Sequence, residues 1–179
     1  MKSDVTEKVR DIVAGLIVVA VLTGLDQYTK VLAARYLPGR PVEIIKGVFK
    51  LQYLQNTGAA FGLFSNQMIF FYVITVAFLA LAVFFYLRAP RGRRFLPLRI
   101  IALFLMAGAL GNFIDRVSFQ YVRDFLYFCL IDFPIFNVAD IYVTCSAAAI
   151  FALMLWFYKD PDLDELEKAI RLRRTEEEK

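Results

Sequence analysis

Residues 68–87 run for 20 positions without a charged side chain. A helix of that length spans the hydrocarbon core of a bilayer, which takes about 17–25 mostly apolar residues. A second charge-free run covers 141–158. Two others, 12–25 and 100–114, are shorter and reach spanning length only by taking in polar residues at one end. Of the 179 residues, 59% are apolar, against about 45–50% in soluble domains. The expected fold is an all-α integral membrane protein, a single membrane domain over 1–179 with four transmembrane helices at about 11–35, 68–88, 95–115 and 138–158. Outer loops fall at about 36–67 and 116–137, and a tail at 159–179. Asp26 follows Leu25 where a cleaved leader would carry small residues, so the first helix is expected to be retained.

Lysine and arginine gather on the cytoplasmic side of membrane proteins. Fourteen of the 21 lie in the N-terminal tail, the 88–99 loop and the segment after Tyr158, which predicts that both termini are cytoplasmic. The net charge of +4 is then a topology signal, and no nucleic-acid partner is expected. In the first outer loop Phe49, Leu51 and Tyr53 alternate with Lys50 and Gln52 after Lys46-Gly47. This is the pattern of a small extracytoplasmic β-hairpin lying on the membrane surface. Phe119–Phe125 is weakly strand-like. After Asp160-Pro161, Leu163, Leu166 and Ile170 share one side of a short solvated helix with no chemistry of its own.

The chain has no histidine and two cysteines, Cys129 and Cys145. Histidine-dependent triads and dyads, and zinc or haem held by histidine, are excluded. Two cysteines make neither a disulfide framework nor a four-thiolate site, and both are read as packing residues. No metal or cofactor is expected. Of the serines, Ser65 and Ser118 fall near the outer face, but neither sits in a nucleophile turn, which disfavours a Ser–Lys dyad.

The polar residues collect at one membrane face. Asp26 and Lys30, four apart on one helix face, form an expected ion pair. Gly108, Asn112 and Asp115 follow at i, i+4 and i+7 with Arg116 beside them. Asn137 and Asp140 open the last span, Asn56 and Gly58 precede the second, and Asp124 and Asp132 lie in the second outer loop. The inner halves of the spans hold no carboxylate. Ionisable residues inside spans are functional candidates by default. Each also has a structural reading: Asn137 as a helix cap with Asp140 favoured by the helix dipole, Asp26–Lys30 as a packing pair, Asp132 as a turn residue. Taken together they favour a site. Its inventory of carboxylates, amides, arginine and lysine suits two acids sharing one proton, one activating water and the other protonating a carbonyl oxygen. Asp115, Asp124 and Asp140 all remain candidates on spacing alone.

Four segments resemble the bacterial lipoprotein signal peptidases (signal peptidase II): Asp26-Gln27-Tyr28-Thr29-Lys30, Asn56–Gly62, Gly108–Arg116 and Phe136-Asn137-Val138-Ala139-Asp140. They occur in order over roughly residues 11–158. The resemblance implies an aspartic endopeptidase of the bacterial cytoplasmic (inner) membrane with its active site at the extracytoplasmic face. Its substrates would be prolipoproteins carrying diacylglycerol on a cysteine, cut just before that cysteine. Membrane lipid would be its other partner, and a monomer is expected. The resemblance also selects the pair: Asp124, in Val122-Arg123-Asp124-Phe125, and Asp140. It makes Asn56, Gly58, Gly108, Asn112, Arg116, Asn137 and Ala139 substrate-binding or supporting residues, and Asp26, Lys30 and Asp115 structural polar ones. Asp115 is expected to pair with Arg116 or Lys30. Arg123 stands where the family often has an apolar residue, and is expected to lower the pKa of Asp124.

Two rivals come from other classes. A small proton-coupled transporter would place polar groups near the midplane, often with a repeat. A non-enzymatic membrane scaffold would use the polar residues only to hold loops.

Overall fold

The structure, a computed structural model, describes residues 2–58 and 67–171. Ser65 and most of the Asn56–Gly62 motif lie outside the described residues. Five α-helices and three strands follow in order. They are α1 (Lys2–Tyr36), β1 (Val42–Ile45), β2 (Phe49–Asn56), α2 (Met68–Arg88), α3 (Leu96–Phe119), β3 (Val122–Tyr127), α4 (Val138–Ala152) and α5 (Asp160–Ile170). A π-turn, Leu153–Phe157, extends α4. Among the described residues three helical segments are long and apolar enough to cross a membrane: Met68–Arg88, Arg93–Phe119 and Val138–Phe157.

Apolar side chains face outward in numbers no aqueous surface would carry. Leu16 and Ile17 on α1, Ile69 and Val73 on α2, and Phe151 and Trp156 at the end of α4 are all exposed. The polar groups are inside instead: Asp26, Lys30, Asp115 and Asn137 have no exposed surface. This inversion fits a chain whose solvent is lipid. The centre of the bundle is α3, which packs against α1, α2 and α4.

Two glycines of α3 make that packing close. A Cβ at Gly108 would stand 2.6 Å from the Ala139 carbonyl oxygen and 2.8 Å from Val143 Cγ2, so α4 sits on α3 because residue 108 has no side chain. A Cβ at Gly111 would run into the Asp26 carboxylate, which crosses α3 at that point. Small residues at helix crossings serve membrane proteins in this way.

The hairpin forms with its turn at Gly47, whose φ of +69° suits glycine. It gains a third strand from the second outer loop, so the sheet runs β1-β2-β3, antiparallel throughout. The strand-like stretch lies later than Phe119–Phe125. Helix α3 continues to Phe119, Gln120 turns the chain in the left-handed region at φ +66°, and β3 starts at Val122. Asp132 is a turn residue at φ +47°, accepting the Tyr127 hydroxyl. The chain then returns along β3, where Phe136 exchanges main-chain hydrogen bonds with Leu126. That return delivers Asn137 and α4 beside Asp124. At the other end of the bundle α5 is tied down, since Arg94, in the turn just before α3, binds Asp162 at 2.9 Å.

Gly108→Ala is expected to force α3 and α4 apart at a cost of about 1–3 kcal/mol, seen as a Tm lowered by several degrees in detergent. Gly24→Ala, where a Cβ meets nothing within 4 Å, should leave the Tm unchanged.

Candidate active site

The site is built outward from Lys30. Its ammonium lies 2.9 Å from Asp26 Oδ2 and 3.8 Å from Asp115 Oδ2, and donates to Asn112 Oδ1 at 2.8 Å. The expected Asp26–Lys30 pair is present. Asp26 does a second thing that no local pattern announces: its Oδ1 accepts the Ala139 N–H at 2.9 Å. That N–H belongs to the first turn of α4, where donors have no partner within the helix. A carboxylate of α1 therefore caps α4 across the face left open by Gly111.

The Lys30 hydrogen bond also settles which way the Asn112 amide points. With its oxygen accepting from Lys30 and from Asn137 Nδ2 (3.1 Å), its nitrogen faces Asp140 and donates to Oδ1 at 2.7 Å. Asn137 is the N-cap of α4 and forms a capping box with Asp140. Its Oδ1 accepts the Asp140 N–H, and Asp140 Oδ2 accepts the Asn137 N–H, both at 3.1 Å. The capping reading of Asn137 is correct and incomplete, because its Nδ2 also donates to Asp124 Oδ1 at 2.6 Å. Asn56, diagonal to Asp124 across the β2–β3 pair, donates to Asp124 Oδ2 at 2.8 Å. A chain of hydrogen bonds thus joins Asp124, Asn137, Asn112 and Asp140.

Asp124 is 1% exposed. Burial and the facing Asp140 carboxylate push its pKa up to about 7, against the opposing hydrogen bonds from Asn56 and Asn137. The expectation that Arg123 would lower it is not met. Successive strand residues face opposite ways, and Arg123 points away from Asp124 onto Asp115, at 2.6 Å. The Asp115 expectation changes with it: Arg123 is its main partner, Lys30 a more distant one, and Arg116 none. Arg116 instead lies over the Phe71 ring, 4.4 Å from its centre, and reaches the Gly58 carbonyl at 3.4 Å.

Asp124 and Asp140 line one cleft of about 470 Å³ together with Asn56, Gly58, Asn112 and Arg116. Phe133, Pro134, Ile135 and Ile141 supply apolar walls. A second groove of about 270 Å³, walled by Ile74, Phe78 and Val143, reaches the same Asn112, Arg116 and Asp140 from the α2 side. Asp26, Lys30 and Asp115 lie beneath the cleft and do not line it. Ala139 is also fully buried there, a packing residue against Gly108 and Gly111. Gly108 borders the second groove and not the first. A further cavity of about 310 Å³, almost wholly apolar, lies between α2 and α3 and holds no carboxylate. Among the described residues there is no cluster of three or more His, Cys, Asp or Glu placed to hold a metal ion.

This constellation has known counterparts. The profile described as signal peptidase (SPase) II matches residues 18–157. The chain belongs to that family. It is 48% identical to a lipoprotein signal peptidase of Symbiobacterium thermophilum over 141 residues, covering 76% of this chain and 89% of the relative. The lipoprotein signal peptidase of Enterococcus faecalis is 40% identical over 147 residues, covering 82% and 90%. A bacterial membrane enzyme solved in meso at 2.3 Å superposes with a TM-score of 0.73 at 34% identity, covering 80% of this chain and 88% of that one. A member of the signal peptidase II family is a membrane protease, and the transporter and scaffold readings are not favoured.

Removing one partner of a buried charge pair costs about 3–5 kcal/mol, so Lys30→Met should lower the Tm in detergent sharply. Arg171→Met, which breaks an exposed contact with Glu167, should leave the Tm within error.

Proposed function

We propose that this signal peptidase removes signal peptides from diacylglyceryl-modified prolipoproteins, hydrolysing the bond just before the lipidated cysteine, with Asp124 and Asp140 as its catalytic pair. The observation that carries this reading is the placement of both carboxylates in one cleft, linked through Asn137 and Asn112. Two carboxyls facing one cleft, Asp124 buried and Asp140 half-buried, hold one proton between them near neutral pH. The ionised member takes a proton from water as it attacks the scissile carbonyl. The protonated member gives its proton to the carbonyl oxygen. The tetrahedral intermediate then collapses as a proton passes to the departing amine of the cysteine. Asn112 and Asn137 hold the carboxyls, and Arg116 and Asn56 steady the approach to them.

The substrate explains the apolar walls. A diacylglyceryl group stays in lipid, so the carboxylates must meet the peptide at the bilayer edge, and two apolar grooves leading to Asp140 give acyl chains and signal peptide separate approaches. Four helices, α1 with α2, α3 and α4, cross the bacterial cytoplasmic membrane as a single domain. The fourteen basic residues within 2–10, 88–99 and 159–179 support a topology with both termini in the cytoplasm and the cleft at the extracytoplasmic face. The enzyme acts as a monomer whose other partner is membrane lipid.

Purified enzyme in detergent should cleave a diacylglyceryl-modified prolipoprotein. Asp124→Asn and Asp140→Asn should each lower kcat by at least about 10³-fold while staying folded, whereas Asp115→Asn should keep partial activity. Loss in Asp115→Asn with Asp124→Asn active would move the pair onto the helix ends. The rate should decline as pH rises through about 7, where the shared proton is lost; a rate unchanged to pH 9 would count against a protonated carboxyl.

A further inference from the structure

The strand that carries Asp124 is held by the residue before it. The Arg123 main-chain N–H donates to Asp115 Oδ2 at 2.9 Å, and its Nε donates to the same oxygen at 3.0 Å. Its Nη2 donates to Asp115 Oδ1 at 2.6 Å and to Gln27 Oε1 at 2.8 Å. The guanidinium lies 4.6 Å from the centre of the Phe119 ring. Gln27 completes the ring of contacts, donating to Asp115 Oδ1 and to the Gly111 carbonyl. The ion pair at its centre is buried: Arg123 is 6% exposed and Asp115 is 0% exposed.

A two-pronged guanidinium–carboxylate contact fixes orientation as well as distance. Here it fixes the rotation of β3 about its own axis. With Arg123 locked inward against α3 and α1, alternation along the strand turns Asp124 outward to the cleft.

We propose that Arg123 is a positioning residue for the peptidase reaction: its clamp on Asp115 and Gln27 aims Asp124 at Asp140 and balances the buried charge beneath the pair. The proposal rests on Asp124 and Asp140 being the catalytic carboxyls. The charged groups that bear on them are Asp26 and Lys30 from α1 and Arg116 from α3, while Asp115 and Asp26, Tyr53 from β2 and, beside Tyr53, Tyr121 surround Arg123. Beneath the pair two anions, Asp26 and Asp115, are matched by two cations, Lys30 and Arg123. Without Arg123 one anion is left over, and a like charge nearby disfavours ionisation of the carboxyl that must act as base. Lysine would restore the charge but not the fork.

The test measures kcat and KM against pH for cleavage of a diacylglyceryl-modified prolipoprotein by purified full-length variants in detergent, with thermal unfolding alongside. Arg123→Lys should lower kcat by about 10–100-fold, with KM and the acidic limb of the profile unmoved. Arg123→Leu should also move that limb to higher pH, by about half a unit to one unit. Adding Asp115→Asn to Arg123→Leu removes both members of the pair, so the limb should return toward its wild-type position while kcat stays low. A folded Arg123→Leu enzyme with wild-type kcat and limb, even at a lowered Tm, overturns the proposal, since it would leave Arg123 a purely structural tie. If Arg123→Leu does not fold, wild-type kcat in Arg123→Lys overturns it instead. Wild-type rates in Asp124→Asn or Asp140→Asn would instead remove the catalytic reading underneath it.

Discussion

An ammonium group sealed inside a helix bundle, with lipid rather than water beyond the helices, has to find its solvation among protein atoms. Leaving an ion unmatched in such surroundings costs several kcal/mol. Lys30 meets the requirement with Asp26, Asp115 and the Asn112 carbonyl, and each of these is committed elsewhere as well. Asp26 reaches over Gly111 to the first turn of α4. Asp115 holds the arginine of β3. Asn112 turns its amide toward Asp140. Two separate elements, α4 and β3, and the Asp140 side chain are therefore positioned by the need to neutralise one buried charge. The same low dielectric that makes the network obligatory also strengthens each hydrogen bond within it.

The proposed chemistry shares atoms with the architecture. Asn137 ends a loop, caps a helix and donates to Asp124, and Asp140 closes the capping box from the other side. Both oxygens of each carboxyl already have a protein donor before any substrate arrives. Such groups do not need to reorganise when the reaction starts, the condition under which fixed dipoles help most. It also explains why a helix terminus is a sensible place for one of the acids: the orphan N–H groups there must be satisfied by something.

Much of this was legible in the sequence because it is local. Charge-free runs mark the three apolar helices, two of them at full bilayer length, residues four apart mark the Asp26–Lys30 pair, and alternation with a glycine turn marks the hairpin. Clustering of carboxylates and amides near one end of the spans marks the site in outline. The parts that escaped are those made by distant residues meeting. Asp115 found Arg123 across a reversal of the chain at Gln120, so neither its sequence neighbour Arg116 nor Lys30 is its main partner. The third strand is only weakly legible, and displaced by a few residues, because both of its faces are buried and both carry charge: Val122-Arg123-Asp124-Phe125 shows no alternation of apolar with polar. Asp26 capping α4 spans more than a hundred residues, and its one sequence trace is the run of small residues Gly108, Gly111 and Ala139 that lets the groups approach.

The alternation in β3 has a consequence for how this segment can vary. One face of the strand carries the tie to the helices and the other carries a carboxyl of the cleft, so parity of position decides which residue does which. Substitutions leave parity alone. An insertion or deletion of one residue between Gln120 and Asp124 would reverse it, sending the acid into the packed interior and the arginine into the cleft. The stretch from the end of α3 to Asp124 is thus a ruler: its length, more than the identity of most residues in it, is what the enzyme has to keep.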